Sequence, residues 1–294
     1  MWTEFERLPS EQRADLVAQL KLRVDKLVRA DPPLALEAAR ALERASDATP
    51  GTRAIAARGN AMAKHANGRA EEALADYLEA ARLHAQEGDE KELGRVHRSL
   101  VDVYQMSGDP QRALESATVA REIFERLGER KLLAQLEANV GNVFVRLDDY
   151  PAARRHYSEA CRLFEAEGDE LALAVARYNL GVTEASANAL DDARTAFLDA
   201  GRVFAEHGMH VHTADCDYML AYLEARRGQF GNAIRELEKA RQLYADCGKP
   251  SGGPLCDLDL AEVFYRIDAC RDAAEHAQRA EAAFGQLKMD YEGA

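Results

Sequence analysis

The chain has 294 residues, and 51 acidic against 38 basic side chains leave a formal net charge of −13 at neutral pH. That balance excludes nucleic-acid binding of the kind that depends on lysine and arginine neutralising phosphates, and it argues equally against anionic membrane surfaces. Five cysteines without a pairing pattern, no apolar run long enough to span a bilayer and no secretory leader point to a soluble, cytoplasmic chain.

In chain order, Trp2, Phe5 and Leu8 precede Pro9-Ser10, where Ser10 is placed to cap a helix over roughly Glu11 to Arg29. Leu16, Leu20, Val24 and Leu27 recur along it at helical spacing, and Asp31-Pro32-Pro33 breaks it before a second helix running to about Ser46. Residues 1–50 therefore read as an N-terminal capping hairpin, with Trp2 and Phe5 covering exposed core. A strict rhythm starts at Gly68, where every twentieth residue is Gly68, Gly88, Gly108, Gly128, Asp148, Gly168, Asn188, Gly208, Gly228, Gly248 or Asp268. Nearly all of these residue types tolerate the left-handed backbone that commonly ends a helix. Ala73, Ala113, Ala153, Ala193, Ala233 and Ala273 recur at forty-residue steps, as do Ala80, Ala120, Ala160, Ala200, Ala240 and Ala280, and helices approach closely only where side chains are small.

The rhythm predicts helix pairs at 52–66 with 69–86, 90–107 with 110–127, 130–147 with 150–167, 170–187 with 190–207, 210–227 with 230–247, and 254–267 with 270–287. Such a repeat is a solenoid and not a globule around one core. The segment Gly248-Lys249-Pro250-Ser251-Gly252-Gly253-Pro254 reads as a flexible joint. Met289 to Ala294 read as the start of a truncated further repeat, which makes the chain a piece of a longer protein.

Within each unit the pattern resembles the tetratricopeptide repeat lengthened to forty residues. One unit carries Leu100, Tyr104, the turn Gly108-Asp109-Pro110, Ala113 and Ala120; the next carries Val140, Gly141, Phe144, Ala153, Tyr157 and Ala160; a third carries Leu180, Gly181, Asn188, Ala193, Phe197 and Ala200. The resemblance covers about residues 51–288 as six repeats and implies an all-α, right-handed α-solenoid of stacked antiparallel helix pairs. In departure from that pattern, His97, Glu137, Arg177, Asp217 and Asp257 stand where a bulky aromatic is common early in the first helix. Second helices gain His84, Phe124, Phe164, Phe204, Tyr244 and Phe284, expected to fill the groove between neighbouring units. The segments Ala214 to Leu223 and Cys256 to Val263 are also similar to repeats found in bacterial proteins ahead of a CHAT domain, a domain that looks like caspase-type cysteine peptidases.

The tetratricopeptide resemblance implies that first helices line a concave face. Carried onto this sequence, the inward residues are Arg98 and Asp102, then Asn139, Asn142 and Arg146, then Tyr178 and Asn179. Tyr218, Tyr222 and Arg226 follow, and Tyr265 ends the stripe. Amides offer a donor and an acceptor to an extended peptide backbone, and tyrosine and arginine supply interface anchors. The lysines of the clamp that some tetratricopeptide proteins use for C-terminal carboxylates are missing, so chaperone-tail binding is not the expected function.

The histidines His207, His210 and His212 do not share one helix face, and no Cys-x-x-Cys occurs, so no metal site is expected. Neither a catalytic constellation nor a cofactor motif appears. The expected function is a non-catalytic scaffold that binds a protein or peptide, with no nucleic-acid or membrane partner. The partner is a separate molecule or the C-terminal domain of its own longer chain, the arrangement of a sensor arm on a CHAT-type peptidase. The alternatives are a free-standing adaptor and the ligand-sensing repeat of a bacterial transcription regulator.

Overall fold

The computed structural model describes residues 10–46 and 49–287. Among them are fourteen helices and no strand. They are α1 (Ser10–Ala30), α2 (Pro32–Ala45), α3 (Pro50–Ala66), α4 (Ala70–Glu87), α5 (Glu90–Met106), α6 (Pro110–Leu127) and α7 (Arg130–Arg146). The series continues with α8 (Tyr150–Ala166), α9 (Glu170–Ser186), α10 (Leu190–Glu206), α11 (His210–Arg226), α12 (Phe230–Asp246), α13 (Gly252–Arg266) and α14 (Cys270–Gln286). The proposed cover by Trp2, Phe5 and Leu8, the Ser10 side-chain cap and the repeat start at Met289 to Ala294 lie outside the described residues.

The helix stops fall where the twenty-residue rhythm puts them. All eleven positions of the series have positive φ, including the non-glycines Asp148 (55°), Asn188 (62°) and Asp268 (59°). At the first helix end of one pair, the Gly108 amide donates to the Gln105 carbonyl at 3.2 Å and the Asp109 amide to Tyr104 at 2.8 Å, the paired closure of a Schellman turn. The Asp109 carboxylate then accepts from the Arg112 amide at 3.1 Å and so opens α6. Asp149 and Asp169 cap α8 and α9 in the same way.

The chain divides between Leu147 and Asp148 into two units. In the N-terminal unit α1 packs on α2, α3 on α4 and α5 on α6, and α7 closes onto α5 and α6; in the C-terminal unit the pairs are α9 with α10, α11 with α12 and α13 with α14, with α8 against α9. The two recurring alanine series are at most 9% exposed throughout, because each marks a place where two helix backbones close on one another. Inside each unit first helices also touch their successors, α5 with α7, α9 with α11 and α11 with α13, while among the described residues no two second helices make a comparable contact. A stack whose layers lie closer on one side curves toward that side, so the first-helix face of each unit is its concave one.

The added second-helix residues His84, Phe124, Phe164, Phe204, Tyr244 and Phe284 are all buried. Phe204 packs against Ala174 of its own first helix and Cys216 of the next, with the His212 ring 5.0 Å away. The charges that replace the early aromatic are paired across a turn instead. Glu137 on α7 accepts from Arg121 Nε at 2.9 Å and Nη2 at 2.8 Å, and 120 residues later Asp257 on α13 accepts from Arg241 Nη1 at 2.9 Å.

The Gly248–Pro254 segment, expected as a joint, is held in place. Lys249 Nζ donates to Asp215 at 2.6 Å, helix α13 already begins at Gly252, and the Tyr244 ring lies over Gly252 with no room for a Cβ. Glycine is required there by that close approach.

Candidate functional site

The predicted stripe falls on five positions of the forty-residue register, all on first helices, with Arg146 and Arg226 sharing one, Tyr265 alone on another and the rest on three. The first of these three holds Arg98, Tyr178 and Tyr218, the second Asn139 and Asn179, and the third Asp102, Asn142 and Tyr222.

In the N-terminal unit Arg98, Asp102, Asn139 and Asn142 are half-buried on α5 and α7. Asn139 Nδ2 donates to Asp102 Oδ2 at 3.0 Å, which joins the two helices. Arg146, exposed near the end of α7, donates to the Gln105 carbonyl at 3.2 Å. Burial pushes the Asp102 carboxyl up to about 6, against the opposing pull of Arg98 and of the Asn139 hydrogen bond. Because this folded value lies above the unfolded one, the native state holds a proton that the unfolded state has lost. The stability contributed by Asp102 therefore declines as pH rises from about 4 to about 6.

Arg58 was not legible as a site residue, yet it occupies the same register position one repeat before Arg98. It is 8% exposed on α3, and Nη1 donates to Glu92 of α5 at 3.0 Å. Glu92 also receives Arg95. The signal was the forty-residue step from Arg98 to Arg58, obscured because the first helix of that repeat lacks the family's other side chains.

In the C-terminal unit Tyr178 and Tyr218 are half-buried and packed against core clusters. The Tyr178 ring centroid is 5.5 Å from Phe197 and that of Tyr218 is 6.3 Å from Tyr244, and burial pushes both phenols up. Asn179 is half-buried beside Tyr178 on α9. Arg226 donates to the Tyr222 hydroxyl at 3.0 Å and to Asn188 Oδ1 at 3.1 Å, its guanidinium 5.7 Å from the Tyr222 ring centroid. Tyr265 on α13 is 70% exposed. A small recess between α11 and α13 is lined by Tyr222, Arg226, Asp259, Glu262 and Arg266. Asp259, also missed in the sequence, is raised by burial, and its Oδ2 is buried without a hydrogen-bond partner.

Three of the five thiols are poorly suited to nucleophilic chemistry. Burial pushes Cys161 up to about 11 and Cys216 and Cys256 up to about 12, far from the thiolate range at neutral pH. All five cysteines are free. His207 Nδ1 lies 2.9 Å from the Val203 carbonyl, and His212 packs on Phe204. No described helix is long and apolar enough to cross a membrane.

Residues 52–126 match the family model described as tetratricopeptide repeat, which spans α3 to α6. Among solved structures, a Rap protein complexed with Competence and Sporulation Factor is similar at 15% identity and a TM-score of 0.70, over 97% of this chain and 90% of that one. The apo form of RapI is similar at 15% identity and a TM-score of 0.71, over 92% of this chain and 98% of that one. NprR in complex with its cognate peptide NprX is similar at 13% identity and a TM-score of 0.62, over 97% of this chain and 84% of that one. No curated protein matches the chain. Identities this low establish the fold alone. The chain thus has a tetratricopeptide-like fold, with the repeat signature itself carried by residues 52–126.

Proposed function

We propose that the chain is a non-catalytic scaffold that binds a peptide, or an extended segment of a protein, on the first-helix faces of its two units. The observation that carries this reading is where polar groups go unsatisfied. Among the described residues five buried side-chain atoms lack a hydrogen-bond partner: Arg58 Nε, His97 Nδ1, Arg98 Nε and Asp259 Oδ2 on first helices, and His84 Nε2 on the second helix α4. Buried polar groups are nearly always paired, so one without a protein partner is available to a water or to a ligand group. Half-buried asparagines and tyrosines stand beside them, the residue types that pair with peptide backbone and anchor side chains. The complexes of the similar Rap protein and of NprR support the same use of the fold.

The likeness of Ala214 to Leu223 and Cys256 to Val263 to CHAT-associated repeats supports a second source for that segment, a catalytic domain of a longer chain. A sensor arm of this kind would bind the segment in one state and release it in another.

The test is a fluorescence-anisotropy titration of the full chain with randomised, fluorescein-labelled nonapeptide pools. Tyr222→Ala and Asn142→Ala are expected to weaken binding by about tenfold each, the scale of an interface anchor or a paired amide. Unchanged affinity in both variants, with an unchanged helical circular-dichroism signal, contradicts the reading.

A further inference from the structure

The N-terminal unit holds three guanidinium groups, Arg58, Arg95 and Arg98, against two carboxyls, Glu92 and Asp102. Glu92 is already shared, since it accepts from both Arg58 and Arg95. Arg98 makes no hydrogen bond or ion pair among the described residues, and its Nε is buried. Burial and the nearby Arg58 charge both lower the Arg98 value, with Asp102 pulling the other way. In a chain of net charge −13, a half-buried arginine would readily be matched by a spare carboxylate if its role were structural. None is supplied.

A guanidinium presents its N–H groups in a planar fork, and the group that matches the fork is a carboxylate. We infer that Arg98, supported by Arg58 across the α3–α5 interface, is the docking point for a carboxylate of the bound peptide. This rests on the peptide-binding reading above and adds the chemistry of one ligand group. The carboxylate comes either from the peptide's C-terminus or from an aspartate or glutamate side chain.

Asp102 tunes the docking point. The groups facing it are Arg98 on its own helix, Asn139 on α7, and Tyr77 on α4, which Arg58 of α3 and Arg98 also face. With a value of about 6, Asp102 takes up a proton as pH falls from 7.5 to 5.5, and Arg98 then loses its weak internal counter-charge. Ligand carboxylates remain ionised across this range. Binding of the anion should therefore tighten as pH falls through about 6.

The experiment compares three labelled nonapeptide pools on the full chain: free C-terminus without Asp or Glu, amidated with Asp and Glu, and amidated without Asp or Glu. At least one carboxylate-bearing pool is expected to bind about tenfold or more tightly than the neutral pool, and the stronger of the two identifies the source. Arg98→Met should abolish that preference while raising Tm, because it removes an unpaired buried charge. A purely structural arginine would lower Tm when replaced. Arg98→Lys keeps the charge but not the fork and should retain the fold while losing most of the preference. A neutral pool that binds as tightly as the others, or a preference surviving both replacements, overturns the carboxylate inference and leaves peptide binding standing. If no pool binds, the peptide reading itself fails.

Discussion

Phe204→Ala should cost about 3–5 kcal/mol of stability, the range for removing a fully buried aromatic ring. Phe204 is 1% exposed and packs among Ala174, Ala200, Val203 and Cys216, which belong to three successive helices. Two of these neighbours are alanines whose backbones are already in close approach, so the helices have little to move into the space and a cavity remains. In a stacked repeat each brick contacts mainly its neighbours, so the damage should stay local. Hydrogen exchange should accelerate first in the amides of α9, α10 and α11, and the urea midpoint should fall accordingly. A loss below 1 kcal/mol would mean that Phe204 does not bridge successive pairs as described.

The second large effect concerns a buried charge. Asp257 is 8% exposed and accepts from Arg241 at 2.9 Å; His276 Nδ1 lies 2.8 Å away and Arg279 Nε 3.9 Å. His276 also stacks on Phe264, with centroids 5.2 Å apart. Asp257→Ala strips the common acceptor from this group and leaves Arg241 half-covered and unpaired. The expected loss is about 2–4 kcal/mol, below the full cost of breaking a buried pair because Arg241 keeps some access to water. Replacing both partners, with Asp257→Leu and Arg241→Met, should lose less than Asp257→Ala alone, since no uncompensated charge is then left behind. If the double replacement loses as much as the sum of the two single ones, the pair contributes nothing as a pair. Equilibrium urea unfolding of the three variants decides between these outcomes.

These two sites show how the sequence was readable and where it was not. Phe204 and its counterparts could be found from periodicity alone, because a bulky residue recurring every forty positions near a helix end must fill a recurring gap. The left-handed stops were legible for the same reason, even where Asp148, Asn188 and Asp268 replace glycine. The charges at Glu137 and Asp257 were visible as departures, but their partners were not. Arg121 and Arg241 lie sixteen residues upstream on the previous helix, and only the packing of that helix against the next brings them together.

The proposed binding surface divides along the same line. Asp102, Asn139, Tyr178 and Tyr222 were placed on it by the tetratricopeptide resemblance, carried along the forty-residue register. Arg58 was not, because its helix carries few of the repeat's apolar marks, and Asp259, at the register position of Asn139 and Asn179, was passed over in the last repeat. Tyr178 and Tyr218 also turned out to be partly core, with rings near Phe197 and Tyr244. The segment after Gly248 shows the reverse error. Glycine and proline suggested mobility, whereas a tight approach to Tyr244 and the Lys249–Asp215 pair hold it down.

First helices, and not second helices, form the proposed binding surface of both units. Hydrogen exchange of the full chain, with and without the tightest-binding nonapeptide sequence, tests it most directly. The account predicts slowed exchange concentrated in first helices, with α5 and α7 or α9, α11 and α13 protected. Protection confined to second helices such as α6, α10 or α12 would contradict it.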